Sequence, residues 1–236
     1  MARTVKKDEF ATKRNEILNA AQRLVYTKGY ERMTIQDILE ILQISKGAFY
    51  HYFDSKPAVL EALIERIGEE TNKPLLPILQ NPNLSAIEKL RGFFDTLDNL
   101  RTMHRAQVIK LARVWYTDEN AIVRQKVDEA VRAQRAPLLV EIVRQGVQED
   151  IFTTPYPDMA GEVVLSLLQG MGNAHASLLF FPKRENDKQF TLKHTIAVYD
   201  AYMDAIERVL GAPAGSLPRT DVQAIKAWLD ASNDSD

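Results

Sequence analysis

The sequence predicts an all-α protein, a small N-terminal three-helix domain followed by a larger helical one, and three observations carry that expectation. Glycine and proline number only ten each in 236 residues, about 8% against an average near 12%, and they cluster where helices would stop. Apolar residues recur three and four positions apart through most of the chain. Hydroxyl residues followed three positions later by an acid stand ahead of several of these runs, as helix caps do.

The first helix is expected over about 10–28, because Ile17, Ala21, Leu24 and Val25 form one stripe and Lys28-Gly29 supplies a cation and then a glycine at its end. Thr34 and Asp37 read as a capping box, and Ile35, Ile38, Leu39 and Leu42 then face one way on a short second helix. Ser45 caps a third short helix running through Phe49 and Phe53. Asp54-Ser55 closes it and caps a fourth, with Pro57 in the first turn and Val59, Leu60, Leu63, Ile64 and Ile67 as the buried stripe. Lys73-Pro74, Pro77 and Asn81-Pro82-Asn83 then break the pattern, so the domain boundary falls there, giving domains 10–70 and 71–236. The fourth helix is the one regular element expected to carry movement between them. Ser85 and Glu88 make a second capping box, ahead of Ile87, Leu90, Phe94 and Leu97. Further helices are expected near 104–115, 119–149, 157–180 and 188–210, with Pro137 predicting a kink. Thr220 with Gln223, ahead of Ile225, Trp228 and Leu229, opens a short amphipathic helix.

There is no cysteine, which excludes a disulfide scaffold, a thiolate metal site and cysteine catalysis. The N-terminus lacks the apolar stretch of a signal peptide and no apolar run reaches membrane-spanning length, so a cytoplasmic protein without a membrane partner is expected. The net charge of −2 hides an asymmetry: residues 1–60 hold ten basic and seven acidic side chains, a local +3, against −5 for the remainder. A contact surface answers to its local field, so a basic N-terminal lobe on an acidic body is compatible with duplex DNA.

From Thr34 to Phe53 the order is short helix, tight turn at Gln43-Ile44, short helix, the pattern of a helix-turn-helix. A core helix does not normally present Lys46, Gly47 and Ala48 followed by Tyr50, His51 and Tyr52. A reading helix does: the small residues let its backbone approach the groove, while Lys46, Tyr50 and His51 reach bases or phosphates. Phe49 and Phe53 are expected in the core. Lys46 and Lys56 both stand in first helical turns, where the macrodipole disfavours a cation and a phosphate compensates.

The runs Thr34-Ile35-Gln36-Asp37-Ile38, Ile44-Ser45-Lys46-Gly47-Ala48-Phe49-Tyr50-His51-Tyr52-Phe53 and Ser55-Lys56 resemble the DNA-binding domain of tetracycline-repressor-like (TetR family) transcriptional regulators, over roughly 10–67. The resemblance implies a homodimer whose N-terminal domains read a palindromic operator in double-stranded DNA and whose C-terminal domain binds a small-molecule effector. It implies a repressor with no cofactor and no catalysis. It also implies roles by position: Thr34 and Lys56 on phosphate, Gln36 and the stretch Lys46, Gly47, Ala48 facing bases, and Tyr50 and His51 on the backbone, with Ser45 heading the same contact helix. Gln43 stands where the family often has glycine, which implies a positive φ at a residue with a side chain. Gln145-Gly146-Val147-Gln148-Glu149-Asp150-Ile151-Phe152 resembles the end of the long seventh helix of many such regulators.

A ligand site is read at Phe94, Met103, His104, Trp115, Met171 and His175, large apolar and amphipathic groups that line cavities and equally fill cores. Val163, Leu167, Met171 and Leu178, and Ile196, Tyr199, Met203 and Ile206, suit two helices packed on their symmetry mates, with intrachain core as the rival explanation. His104, His175 and His194 have no metal-ligand spacing, so no metal is expected. Gly170-Met171-Gly172 reads as close helix packing, and no local motif assembles a Ser/His/Asp set. The competing function is an all-α small-molecule-binding protein or enzyme whose N-terminal unit does not read DNA. A structural helical module is a third, for which the 45–56 run is unnecessary.

Overall fold

The computed structural model describes residues 2–103, 105–180 and 188–233. Among them the regular structure is helical, with no strand: α1 (Ala2–Lys28), α2 (Ile35–Leu42), α3 (Lys46–Tyr50), α4 (Lys56–Asn72), α5 (Leu76–Leu79), α6 (Ala86–Met103), α7 (Arg105–Trp115), a 3-10 turn (Asp118–Asn120), α8 (Ala121–Gln148), α9 (Pro157–Phe180), α10 (Lys188–Leu210) and α11 (Val222–Asn233). No helix is long and apolar enough to cross a membrane, among the described residues.

Three elements differ from the sequence reading. Helix α1 begins at Ala2 and not near Phe10, since nothing between those positions breaks a helix. Helix α5 is a single turn inside the proline-rich break, with a proline at its start, where the ring's fixed φ suits a helix. The cap of α11 is Asp221, whose carboxylate accepts from Gln223 N at 2.8 Å, while Thr220 donates its hydroxyl to Asp200 at 2.9 Å. The anion outcompetes the hydroxyl for the helix N-terminus. Helix α8 runs through Pro137.

The chain forms two compact units, one of Met1–Glu69 with Arg113–Ala130 and one of Glu70–Ala112 with Val131–Asp236. Segment 113–130 therefore belongs with the N-terminal helices, and α4, α7 and α8 each contain residues of both units. This corrects the expectation that α4 is the one helix shared between them.

In the first unit the buried side chains include Ile17, Leu18, Ala21, Val25, Ile38, Phe49, Val59 and Leu63, all at 2% exposure or less. The second unit has one continuous apolar core from α5 to α10, including Leu90, Phe93, Leu139, Val164, Met203 and Ile206. Gly161 lets α9 approach α8 closely, since a Cβ there would lie 2.9 Å from Val140 N. Helix α8 ends in a left-handed residue, Asp150 at φ 56°. The chain then folds back so that Phe152 N donates to Gly146 O at 3.0 Å and the Phe152 ring covers Gly146.

Candidate nucleic-acid interface

Helices α2 and α3 each start at a cap the sequence announces. Thr34 Oγ1 accepts from Asp37 N at 3.1 Å, and the Asp37 carboxylate accepts from Thr34 N at 2.7 Å, the reciprocal pair of a capping box. Lys28 donates to the same carboxylate at 2.6 Å. The Lys28 ammonium and then the Thr34 hydroxyl hold the Asp37 carboxyl down at about 2, against 3.8 for a free aspartate. Its folded value is depressed, so its contribution is complete above about pH 4 and fades as pH falls toward 2. Asp37→Asn is expected to remove this part of the acid dependence and to cost about 1 kcal/mol at neutral pH, measured by urea unfolding across that range.

Gln43 closes α2 at φ 51°, ψ 42°, its N–H donating to Leu39 O. This is the left-handed position anticipated from the sequence. A side chain there costs about 1–2 kcal/mol, against about 0.5–1 kcal/mol of extra unfolded-state entropy for glycine. Gln43→Gly is therefore expected to stabilise the fold by about 0.5–1 kcal/mol, read as a raised urea midpoint at unchanged slope.

Ser45 Oγ then accepts from Ala48 N at 3.1 Å and starts α3. The helix has two unlike sides. Phe49 is completely buried, with Phe53 beyond it at 5%. Ser45, Lys46, Gly47, Ala48, Tyr50 and His51 are exposed. The only neighbour a Cβ at Gly47 would meet is Ser45 Oγ, at 3.9 Å. Lys46 Nζ stands 5.9 Å above the Tyr50 ring. His51 meets Phe10 edge-on at 5.6 Å and Tyr52 at 5.1 Å, a contact with α1 that spacing did not reveal. Gln36 is exposed on α2 and donates to Glu40 at 3.0 Å. Neither α3 nor α4 has an acid in its first turn, and their first residues are Lys46 and Lys56.

Lys56 is less free than sequence reasoning supposes. Its ammonium lies 4.2 Å over the Tyr30 ring and donates to Glu31 O at 3.2 Å. Burial lowers its pKa, opposed by the Glu31 and Asp37 carboxylates. A partly desolvated cation whose contacts are a ring and a carbonyl is the state a phosphate oxygen would stabilise.

All of this constellation except Phe10 falls within residues 17–63, which match the family model described as "Bacterial regulatory proteins, tetR family". Over these residues the chain is a member of the tetR family. A curated relative, an uncharacterized HTH-type transcriptional regulator from Lactococcus lactis subsp. lactis, is 35% identical over 82 residues, covering 35% of this chain and 42% of that one. The HTH-type transcriptional regulator TtgR from Pseudomonas putida is 29% identical over 131 residues, 53% and 61% of the two chains. These matches span about half the length of the relatives. Over a longer stretch the likeness is in fold: the reduced form of Escherichia coli NemR matches at TM-score 0.54 and 18% identity, covering 85% of this chain and 98% of that one. A TetR-family regulator from Pectobacterium atrosepticum matches at 0.55 and 15%, covering 84% and 96%.

Beyond the tetR-family motif, the residues read as a ligand site lie in varied surroundings. Phe94 and Met171 are buried in the core of the second unit. His175 is part-buried there, its Nε2 3.3 Å from Thr195 O and its ring stacked on Tyr199 at 6.2 Å. Met103 is 69% exposed, Trp115 belongs to the first unit, and His104 lies outside the described residues. The α10 face read as dimer-forming is intrachain core at Tyr199, Met203 and Ile206, as is Met171 on α9. Gly170 is a close-packing glycine, a Cβ there lying 2.8 Å from the Tyr202 hydroxyl, but Gly172 faces open space. No group of three or more His, Asp or Glu side chains could hold a metal ion, among the described residues.

Proposed function

We propose that this chain is a homodimeric, sequence-specific DNA-binding regulator of transcription, a repressor released from a palindromic operator by a small-molecule effector. The observation that carries the reading is the division of α3: a sealed aromatic side at Phe49 and an exposed side of Lys46, Gly47, Ala48 and Tyr50 with room for a groove. Lys46, Gly47 and Ala48, with Gln36, face bases. Thr34, Ser45, Tyr50, His51 and Lys56 hold the phosphate backbone. Residues 10–70 read DNA, and 71–236 bind the effector and the second copy, in the cytoplasm and without catalysis. The surface for the second copy is read on Tyr156, Met159 and Val163, apolar residues left exposed at the start of α9. Relatives named as repressors, among them NemR, support the sign of regulation.

A salt series on duplex DNA tests the proposal. Log affinity should fall steeply and linearly with log salt, and Lys56→Ala should lower that slope by about 1 while leaving sequence preference intact. A slope near zero would remove DNA from the account.

A further inference from the structure

Asn120 has no exposed surface and belongs to the first unit. Both ends of its carboxamide are used, two of the three partners being far away in sequence: Oδ1 accepts from Tyr30 N at 2.8 Å, and Nδ2 donates to Val25 O and to Val114 O, each at 3.1 Å. Next to it, Glu31 N donates to Glu119 O at 3.1 Å. Gly29, at φ 83°, makes room for the approach, since a Cβ there would lie 2.6 Å from that of Glu119. The side chain's orientation is set by chemistry, because an amide N–H must face the oxygen and two carbonyls must face the nitrogen.

The turn gripped in this way, 28–32, is the one on which the interface rests. Glu31 O and the Tyr30 ring seat Lys56, and Lys28 anchors the Asp37 box that caps α2. On its other side, the 3-10 turn holding Asn120 joins α7 to α8, two helices that, like α4, continue into the second unit. We infer that Asn120 is a positioning residue for the DNA-reading face: by holding Tyr30, beside the Glu31 amide that Glu119 holds, it fixes the seat of Lys56, so that the course of α7 and α8 sets where that lysine stands. This rests on the proposed DNA reading.

The test uses the full chain and a duplex enriched by the wild-type protein from a random pool. Asn120→Ala and Lys56→Ala are each expected to weaken binding about tenfold, and the double variant also about tenfold, because the first acts through the second. Asn120→Ala should lower the salt slope by about 1, and adding Lys56→Ala should lower it no further. A double variant weakened about a hundredfold, the product of two independent losses, would overturn the inference, as would an Asn120→Ala chain that folds and binds normally. If Asn120→Ala does not fold, hydrogen exchange of the wild type decides. The duplex should slow exchange at Tyr30, Glu31 and residues 117–121 together; slowing that spares 117–121 would overturn the inference. Failure to enrich any duplex would count against the DNA reading itself, before this inference is reached.

Discussion

Gly47→Leu should reduce duplex affinity by about a hundredfold or more while leaving the melting temperature unchanged or slightly higher. Two magnitudes of different origin decide the outcome. In the free protein a side chain at Gly47 meets only Ser45 Oγ, at 3.9 Å, and replacing glycine by leucine within a helix stabilises it by about 0.6–0.8 kcal/mol. In the complex the same side chain would stand between the α3 backbone and the base edges. Losing even one or two base contacts costs about 1–3 kcal/mol each, and a hundredfold loss corresponds to about 2.7 kcal/mol. Fold and function should therefore separate cleanly at this position. A Gly47→Leu chain that binds DNA as the wild type does would remove α3 from the groove.

Gly146→Ala should do the reverse, destabilising the second unit by about 3 kcal/mol in urea unfolding. Helix propensity alone favours alanine by about 1 kcal/mol, but here packing overrides it. A Cβ at Gly146 would fall inside the Phe152 ring. That ring is 2% exposed within the core, and its residue is tied back by the amide bond to Gly146 O, so it has nowhere to go. Gly172→Ala is the control: it also lies inside a long helix, but its Cβ would meet nothing within 4 Å. It should gain up to about 1 kcal/mol. Equal responses at the two positions would contradict the packing of Phe152.

The contrast between those two glycines marks where the sequence stops being legible. Local chemistry reads well: Thr34, Asp37, Ser45 and Ser55 cap the helices expected of them, with Ser55 Oγ accepting from Ala58 N at 3.2 Å. Gln43 could be marked as left-handed because it stands where the family it resembles often has glycine. Each of these features is decided within a few residues. What escaped depends on partners distant in the chain. Asn120 sits in a stretch that reads as the first turn of the helix expected over 119–149, and nothing local points to Tyr30, 90 positions away. Tyr199, Met203 and Ile206 form a stripe that suits a dimer as well as a core, and only the packing of α10 decides.

The claim most exposed to a single measurement is that two copies of α3 read one duplex together. Hydroxyl-radical footprinting on a duplex enriched by the wild-type protein tests it directly. Two protected patches related by a two-fold axis, on one face of the helix and with centres about 34–36 Å apart, are the expected result. A single patch, or protection without two-fold symmetry, would contradict it.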